Sequence, residues 1–149
     1  MIRFFGGRVM TLANGIETQD IEVWTEGSKI VFVGKPKAEE LDGKVFEREY
    51  DLKGNLLMPS FKNAHTHSAM TFLRSYADDM PLQDWLFKQI FPMEAKLDGE
   101  KVYWLTKLAI LEYLTTGCTA TFDMYFELDD YVKACIESCL LYTSPSPRD

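Results

Sequence analysis

Both histidines of the chain stand one residue apart, in the run Asn63-Ala64-His65-Thr66-His67. Successive side chains of a strand alternate faces, so positions i and i+2 point the same way. Two imidazoles on one face can hold one divalent ion through ring nitrogens at roughly 2.0–2.1 Å. Two other readings stay open: a half-exposed strand face, or one imidazole satisfied within a core. A catalytic zinc takes three protein ligands and one open position, and the chain has no third histidine. His65 and His67 are therefore candidate metal ligands of an incomplete set.

The pair must be held by the elements around it. Leu56-Leu57-Met58-Pro59-Ser60-Phe61, entered from Lys53-Gly54-Asn55, predicts a buried strand ending at the histidines. The carboxyl end of a strand is where barrel enzymes place their chemistry. A loop over 68–81 and a helical stretch containing Trp85 follow. Asp98 is placed to cap a helix over 99–116, with Glu100 favoured in its first turn and Gly117 ending it. Cys118-Thr119-Ala120-Thr121-Phe122-Asp123 predicts a strand, and 127–138 a further helix. Strand and helix in alternation are the pattern of a parallel α/β fold. Upstream, 20–25 and 29–34 predict a hairpin about Glu26-Gly27-Ser28, and 44–52 another strand. That sheet material is too small to bury much surface alone and expects a partner sheet.

Composition narrows the function classes. The 149 residues are 46% hydrophobic and carry a formal net charge of −7, with no basic cluster. Such a balance argues against a nucleic-acid partner and for a small-molecule function or a soluble partner. The start, Met1-Ile2-Arg3-Phe4-Phe5-Gly6-Gly7-Arg8, lacks the apolar core of a signal peptide. No run approaches the roughly 20 apolar residues that span a bilayer. The expectation is a cytoplasmic protein with no membrane partner. Cys118 reads as a small buried apolar residue; Cys135 and Cys139, four apart, lack the other two ligands of a structural zinc site. Free thiols are expected.

The last ten residues, Leu140 to Asp149, break the α/β pattern with Thr-Ser-Pro-Ser-Pro. A flexible tail or linker is one reading. The other is a non-native tail over 139–149, since the stretch looks like a translated sequencing adapter joined to a truncated gene.

The run from Gly54 to Thr71, Gly-Asn-Leu-Leu-Met-Pro-Ser-Phe-Lys-Asn-Ala-His-Thr-His-Ser-Ala-Met-Thr, resembles the opening of the amidohydrolase superfamily. Leu73 to Leu82, Trp85-Leu86 and Phe91 to Leu97 extend the resemblance, toward the branch of 5′-methylthioadenosine/S-adenosylhomocysteine deaminases and their chlorohydrolase-like relatives. The similarity runs over 1–138 and is most specific between 54 and 124. It implies an α/β fold, the truncated start of a (β/α)₈ TIM barrel preceded by half of a composite β-sandwich. The implied domains are 1–55 for the sandwich part and 56–138 for the first barrel units.

The resemblance also implies roles. His65 and His67 match the metal ligands after barrel strand one. Glu94 matches a carboxylate that binds ribose hydroxyls, and Trp85 an aromatic of the substrate pocket; their structural alternatives are a solvated helix-end charge and a core indole. Asp78 and Asp79 could serve as metal ligands or general bases, but in the family that acid pair lies in the loop after strand one and reads as loop structure or capping; Asp123 lies at the end of strand two without an assigned metal role. Arg74, read from its type alone, could meet an anionic group or stay on the surface. The implied cofactor is one divalent metal per subunit, zinc first, with iron or manganese as alternatives. The implied partner is a nucleoside; homo-oligomers stay open. The implied reaction is hydrolytic deamination of an adenine ring, with the acid/base Glu, third His and closing Asp beyond this chain. An N-terminal fragment of this kind is expected to be inactive and prone to aggregate through open strand edges. Two alternatives stand beside it: another amidohydrolase (a guanine or cytosine deaminase, or a triazine chlorohydrolase), and a small non-catalytic α/β module.

Overall fold

A computed structural model describes residues 1–13, 15–126 and 128–143. The chain forms two compact units, Met1–Pro59 and a second from Ser60 onward.

The first unit is built from seven strands and one short helix: β1 (Ile2–Phe5), β2 (Arg8–Thr11), β3 (Glu17–Gln19), β4 (Glu22–Glu26), β5 (Lys29–Gly34), α1 (Ala38–Leu41), β6 (Arg48–Asp51) and β7 (Leu56–Leu57). One sheet has the order β5-β4-β1-β6, and a second has β3-β2-β7. The expected hairpin is present as antiparallel β4 and β5. Gly27 supplies the positive φ, +56°, that the intervening turn requires. The strand expected over 44–52 is shorter and joins β1 in parallel.

Trp24 anchors this unit. It is buried, stacks on Phe32 with centroids 4.1 Å apart, and meets the edge of Phe46 at 5.2 Å. Its indole N–H donates to Glu22 at 2.9 Å, and Arg3 donates twice to the same carboxylate, both bonds at 2.7 Å. Arg3 therefore holds the Glu22 carboxyl below its ordinary range. Beyond Val9, Val23 and Trp24 little is buried; Ile30, Val31 and Val33 of β5 all stay exposed.

The second unit has a parallel sheet in the order β10-β9-β8, from β8 (Phe61–Thr66), β9 (Cys118–Asp123) and β10 (Leu141–Thr143). Between β8 and β9 come a 3₁₀ segment (Ser68–Leu73), α2 (Leu82–Asp84), a π-helical stretch (Trp85–Ile90), α3 (Phe91–Glu94) and α4 (Gly99–Thr115). α5 (Leu128–Glu137) links β9 to β10. Asp98 caps α4 as expected, accepting from the Lys101 N–H at 3.0 Å. Gly117, at φ +82°, turns the chain from α4 into β9. Val102, Thr106, Ala109 and Ile110 form the buried stripe of α4, at the spacing a helix needs to present one face. Val102 and Ile110 pack with Tyr131, Ala134, Cys135, Ala69 and Leu140 into one continuous core.

Three expectations need correction. The single buried strand leading to the histidines is instead two: β7 ends at Leu57 and pairs with β2, whereas β8 begins at Phe61 and pairs with β9. Pro59 lies between them, and a proline has no N–H to continue a ladder. Nor is the run buried, since Leu56, Met58 and Phe61 are all exposed and Phe61 is 60% so. The loop expected over 68–81 opens as a 3₁₀ helix, with the Met70 N–H donating to the His67 carbonyl at 2.9 Å. The stretch 144–149, most of the expected non-native tail, lies outside the described residues. The residues before that stretch continue the fold, with Leu140 buried and Leu141–Thr143 paired to β9.

Candidate functional site

β8 delivers His65 and His67 together. His65 lies at the carboxyl end of the strand and His67 one step past it, at φ −133° and ψ 77°, where the chain enters the 3₁₀ turn. Their ring centroids are 5.1 Å apart and nearly perpendicular, at 83°. His65 is exposed and His67 half-buried.

The ring of His67 is fixed by a bond from the far strand's loop. Its Nδ1 lies 2.8 Å from the Met124 carbonyl oxygen, just beyond β9. A carbonyl only accepts, so Nδ1 carries the proton and Nε2 presents its lone pair outward. Metal-ligating histidines commonly have this arrangement, with one nitrogen donating to a carbonyl and the other free for the ion. Among the described residues no third His, Cys, Asp or Glu joins the pair to complete a metal set.

A hydroxyl network surrounds that histidine. The Tyr113 hydroxyl, from α4, bonds Thr66 Oγ1 at 2.6 Å and Ser68 Oγ at 2.9 Å. The Ser68 N–H donates to the Asp123 carboxylate at 3.1 Å, and the Met124 N–H to the Thr66 carbonyl at 3.2 Å. Asp123 is fully buried; burial pushes its carboxyl up, opposed by the Ser68 bonds. Its observed work is holding Ser68. Burial also pushes the Tyr113 phenol up, against its bonds to Ser68 and Thr66, so it stays a neutral hydroxyl.

A cavity of about 410 Å³ brings His67, Trp85 and Glu94 together. Trp85 opens the π-helical stretch, a form that widens the helix locally and is frequent at functional sites. Glu94 ends α3 and is only 8% exposed. Burial pushes its carboxyl up, with Tyr125 and His67 pulling the other way. The Tyr125 hydroxyl lies beside it, buried and without a hydrogen bond of good geometry. Met70, Phe91, Met124 and Phe126 supply apolar walls. A space of this kind suits a flat, partly apolar ligand with hydroxyls at one end.

Of the sequence candidates, His65 stands beside this cavity's His67 without lining the cavity. Arg74 lies on the surface as expected, paired twice with Glu112 at 2.8 and 2.9 Å. Asp79 sits in the loop at positive φ. Sequence reasoning passed over Tyr113, Met124 and Tyr125. The only available signal was the position of Met124 and Tyr125 directly after a strand end, where such folds gather site residues.

Comparison with known proteins gives this geometry its setting. The amidohydrolase family matches residues 56–148, more than half of the chain. The chain belongs to the amidohydrolase family. It is 43% identical over 117 residues to a curated 5-methylthioadenosine/S-adenosylhomocysteine deaminase of Desulfitobacterium hafniense, covering 78% of this chain and 27% of that one. A 5′-deoxyadenosine deaminase of Methanospirillum hungatei is 56% identical over 88 residues, 59% of this chain and 20% of its own length. A zinc-bound adenosine deaminase crystal structure from Xanthomonas campestris superposes with a TM-score of 0.86 at 31% identity, covering 95% of this chain and 32% of that one. This amidohydrolase chain thus spans roughly a fifth to a third of the length of such relatives. Its neighbours are TIM-barrel amidohydrolases, and it is a mixed α/β part of that fold.

Proposed function

We propose that the complete protein hydrolyses the amino group from an adenine nucleoside, and that this chain supplies one edge of the metal site and the sugar-binding end of the pocket. The first unit then contributes to the composite sandwich and the second begins the barrel. The observation that carries the reading is the cavity shared by His67, Trp85 and Glu94, with His67 Nε2 free.

The donor set fits a divalent ion: two neutral imidazoles, one with its tautomer fixed by a carbonyl bond. His65 and His67 are the residues that would hold it, and zinc is the first choice, in keeping with the zinc-bound relative. Such an ion, when bound, brings the deprotonation of water toward neutral pH. Everything else asked of this chain is positioning. Glu94 has lost most of its water to burial, so a vicinal diol donating to both carboxylate oxygens would restore two charge-assisted bonds. Trp85 would cover a face of the bound nucleoside, and the apolar walls exclude bulk water from it. The remaining ligands and the acid/base group come from elsewhere in the complete protein, so the chain by itself is inactive.

The reading frame tests this. The source DNA across the codons for Glu137 to Leu141 should continue into a full barrel, with 139–149 foreign. An open parallel edge accepts any extended segment through its backbone, which accounts for β10 in that case. The completed enzyme should release ammonia from S-adenosylhomocysteine or 5′-methylthioadenosine. Glu94→Gln should raise KM for these at least tenfold and leave any activity on a free base unchanged. Turnover of free guanine or cytosine in preference to nucleosides would overturn the substrate reading.

A further inference from the structure

We infer that Tyr113 is a positioning residue for His67: its single hydroxyl ties the residues on both sides of that histidine to helix α4 and fixes the aim of Nε2. The inference rests on the metal reading above and adds to it a part of the chain 46 positions away from the ligand.

The need for such a tie is local. His67 has left β8 and has not yet entered the 3₁₀ turn, and its ψ of 77° belongs to neither element. Ladder bonds therefore do not hold it. A rotation there would swing the imidazole, whereas metal–ligand distances tolerate only about 0.2 Å. Thr66 and Ser68 flank the pivot, and both hydroxyls reach the same phenol oxygen, at 2.6 and 2.9 Å. A phenol has one donor and two acceptor sites, so it can serve both at once.

The other ties complete the bracket. Asp123 takes the Ser68 N–H, Thr66 takes the Met124 N–H, and the Met124 carbonyl takes the His67 Nδ1 proton. Every residue from 66 to 68 is thus bonded to α4 or to the end of β9. Tyr113 is the one contributor on the helix, and it acts through neighbours of the ligand rather than on the ligand. A purely space-filling role would need only the ring, which phenylalanine keeps.

The 149-residue chain, labelled with ¹⁵N, allows the test. Long-range ¹H–¹⁵N spectra at pH 8.5 should show His67 as the Nδ1–H tautomer. Tyr113→Phe should turn it into a mixture of tautomers and weaken zinc binding about 10–100-fold. Tyr103→Phe, which removes a surface hydroxyl bonded to Glu137 and keeps the half-buried ring, should change neither. An unchanged tautomer in Tyr113→Phe overturns the assignment. Zinc affinity is read in the completed protein, which carries the remaining ligands; if that protein takes up no zinc at this pair, the metal reading fails on its own and the tautomer still judges Tyr113. Should Tyr113→Phe not fold, Thr66→Val with Ser68→Ala removes the same two bonds from the other side. That double variant must then show the mixture, and a retained single tautomer would refute the role.

Discussion

A cavity in the first unit and a cavity in the second differ in the groups they gather. Among the described residues the first unit encloses about 550 Å³, lined by Gly6, Gly7, Gly54, Arg8, Glu22 and Lys35 with a few neighbours. The smaller one in the second unit, about 410 Å³, collects an imidazole, a carboxyl, an indole and a phenol. In the first unit Glu22 is fully partnered by Arg3 and Trp24, and its carboxyl is pulled down. In the second, burial pushes Glu94 up, and the Tyr125 hydroxyl beside it is buried without a hydrogen bond of good geometry. Polar groups that are buried and still short of partners mark a place that expects a ligand. Volume alone does not.

The same contrast runs through packing. The second unit has a continuous core around Val102 and Tyr131, whereas the first depends on one tryptophan and two valines. The largest expected effects come from removing each centre. Trp24→Ala and Tyr131→Ala should each cost about 3–5 kcal/mol, a large share of the whole stability of units this small, about 3–9 kcal/mol for the first and about 4–14 kcal/mol for the second. Limited proteolysis should show Trp24→Ala opening residues 1–59 while the His67 tautomer signal persists. Tyr131→Ala should remove that signal. Simultaneous loss of both units in either variant would break the distinction between them.

A smaller effect sharpens the electrostatic side. Glu22 has a folded pKa below its unfolded value, near 4.5, because Arg3 bonds its charged form. Its contribution is therefore fully present above about pH 4.5 and is lost as pH falls through the lower folded value. Denaturant melts of the first unit should lose stability as pH falls below about 4.5. Glu22→Gln should flatten that slope and cost about 1–3 kcal/mol at neutral pH. A slope that survives the substitution would assign the pH dependence to other carboxylates.

Much of the scaffold was legible before any coordinates. β9 spans Cys118–Asp123 as expected, because Gly117 breaks the helix and the following residues favour a strand. α4 starts where Asp98 can cap it. Locally encoded features such as these need no knowledge of the rest of the chain. The two-part run to the histidines was misjudged because Pro59 can end one strand or sit quietly at an edge, and only pairing partners decide which. The π-helical stretch carrying Trp85 has no sequence signature.

The candidate site was half legible for a related reason. His65 and His67 announce themselves by type and spacing, and Trp85 and Glu94 came through resemblance rather than periodicity. Tyr113 and Met124 act on the histidine corner from 47 and 57 residues away in their hydrogen-bonded pairs. An aromatic on an apolar helix face and a backbone carbonyl look like core and loop until the strands are paired.

The most direct test of the central claim is a cobalt titration of the ¹⁵N-labelled chain followed by NMR. Co²⁺ should shift or broaden the ring signals of His65 and His67 first, at one ion per chain, and His67→Ala should abolish the effect. Cobalt perturbation elsewhere, or an undiminished response in His67→Ala, would contradict the assignment of this strand end as the metal-holding corner.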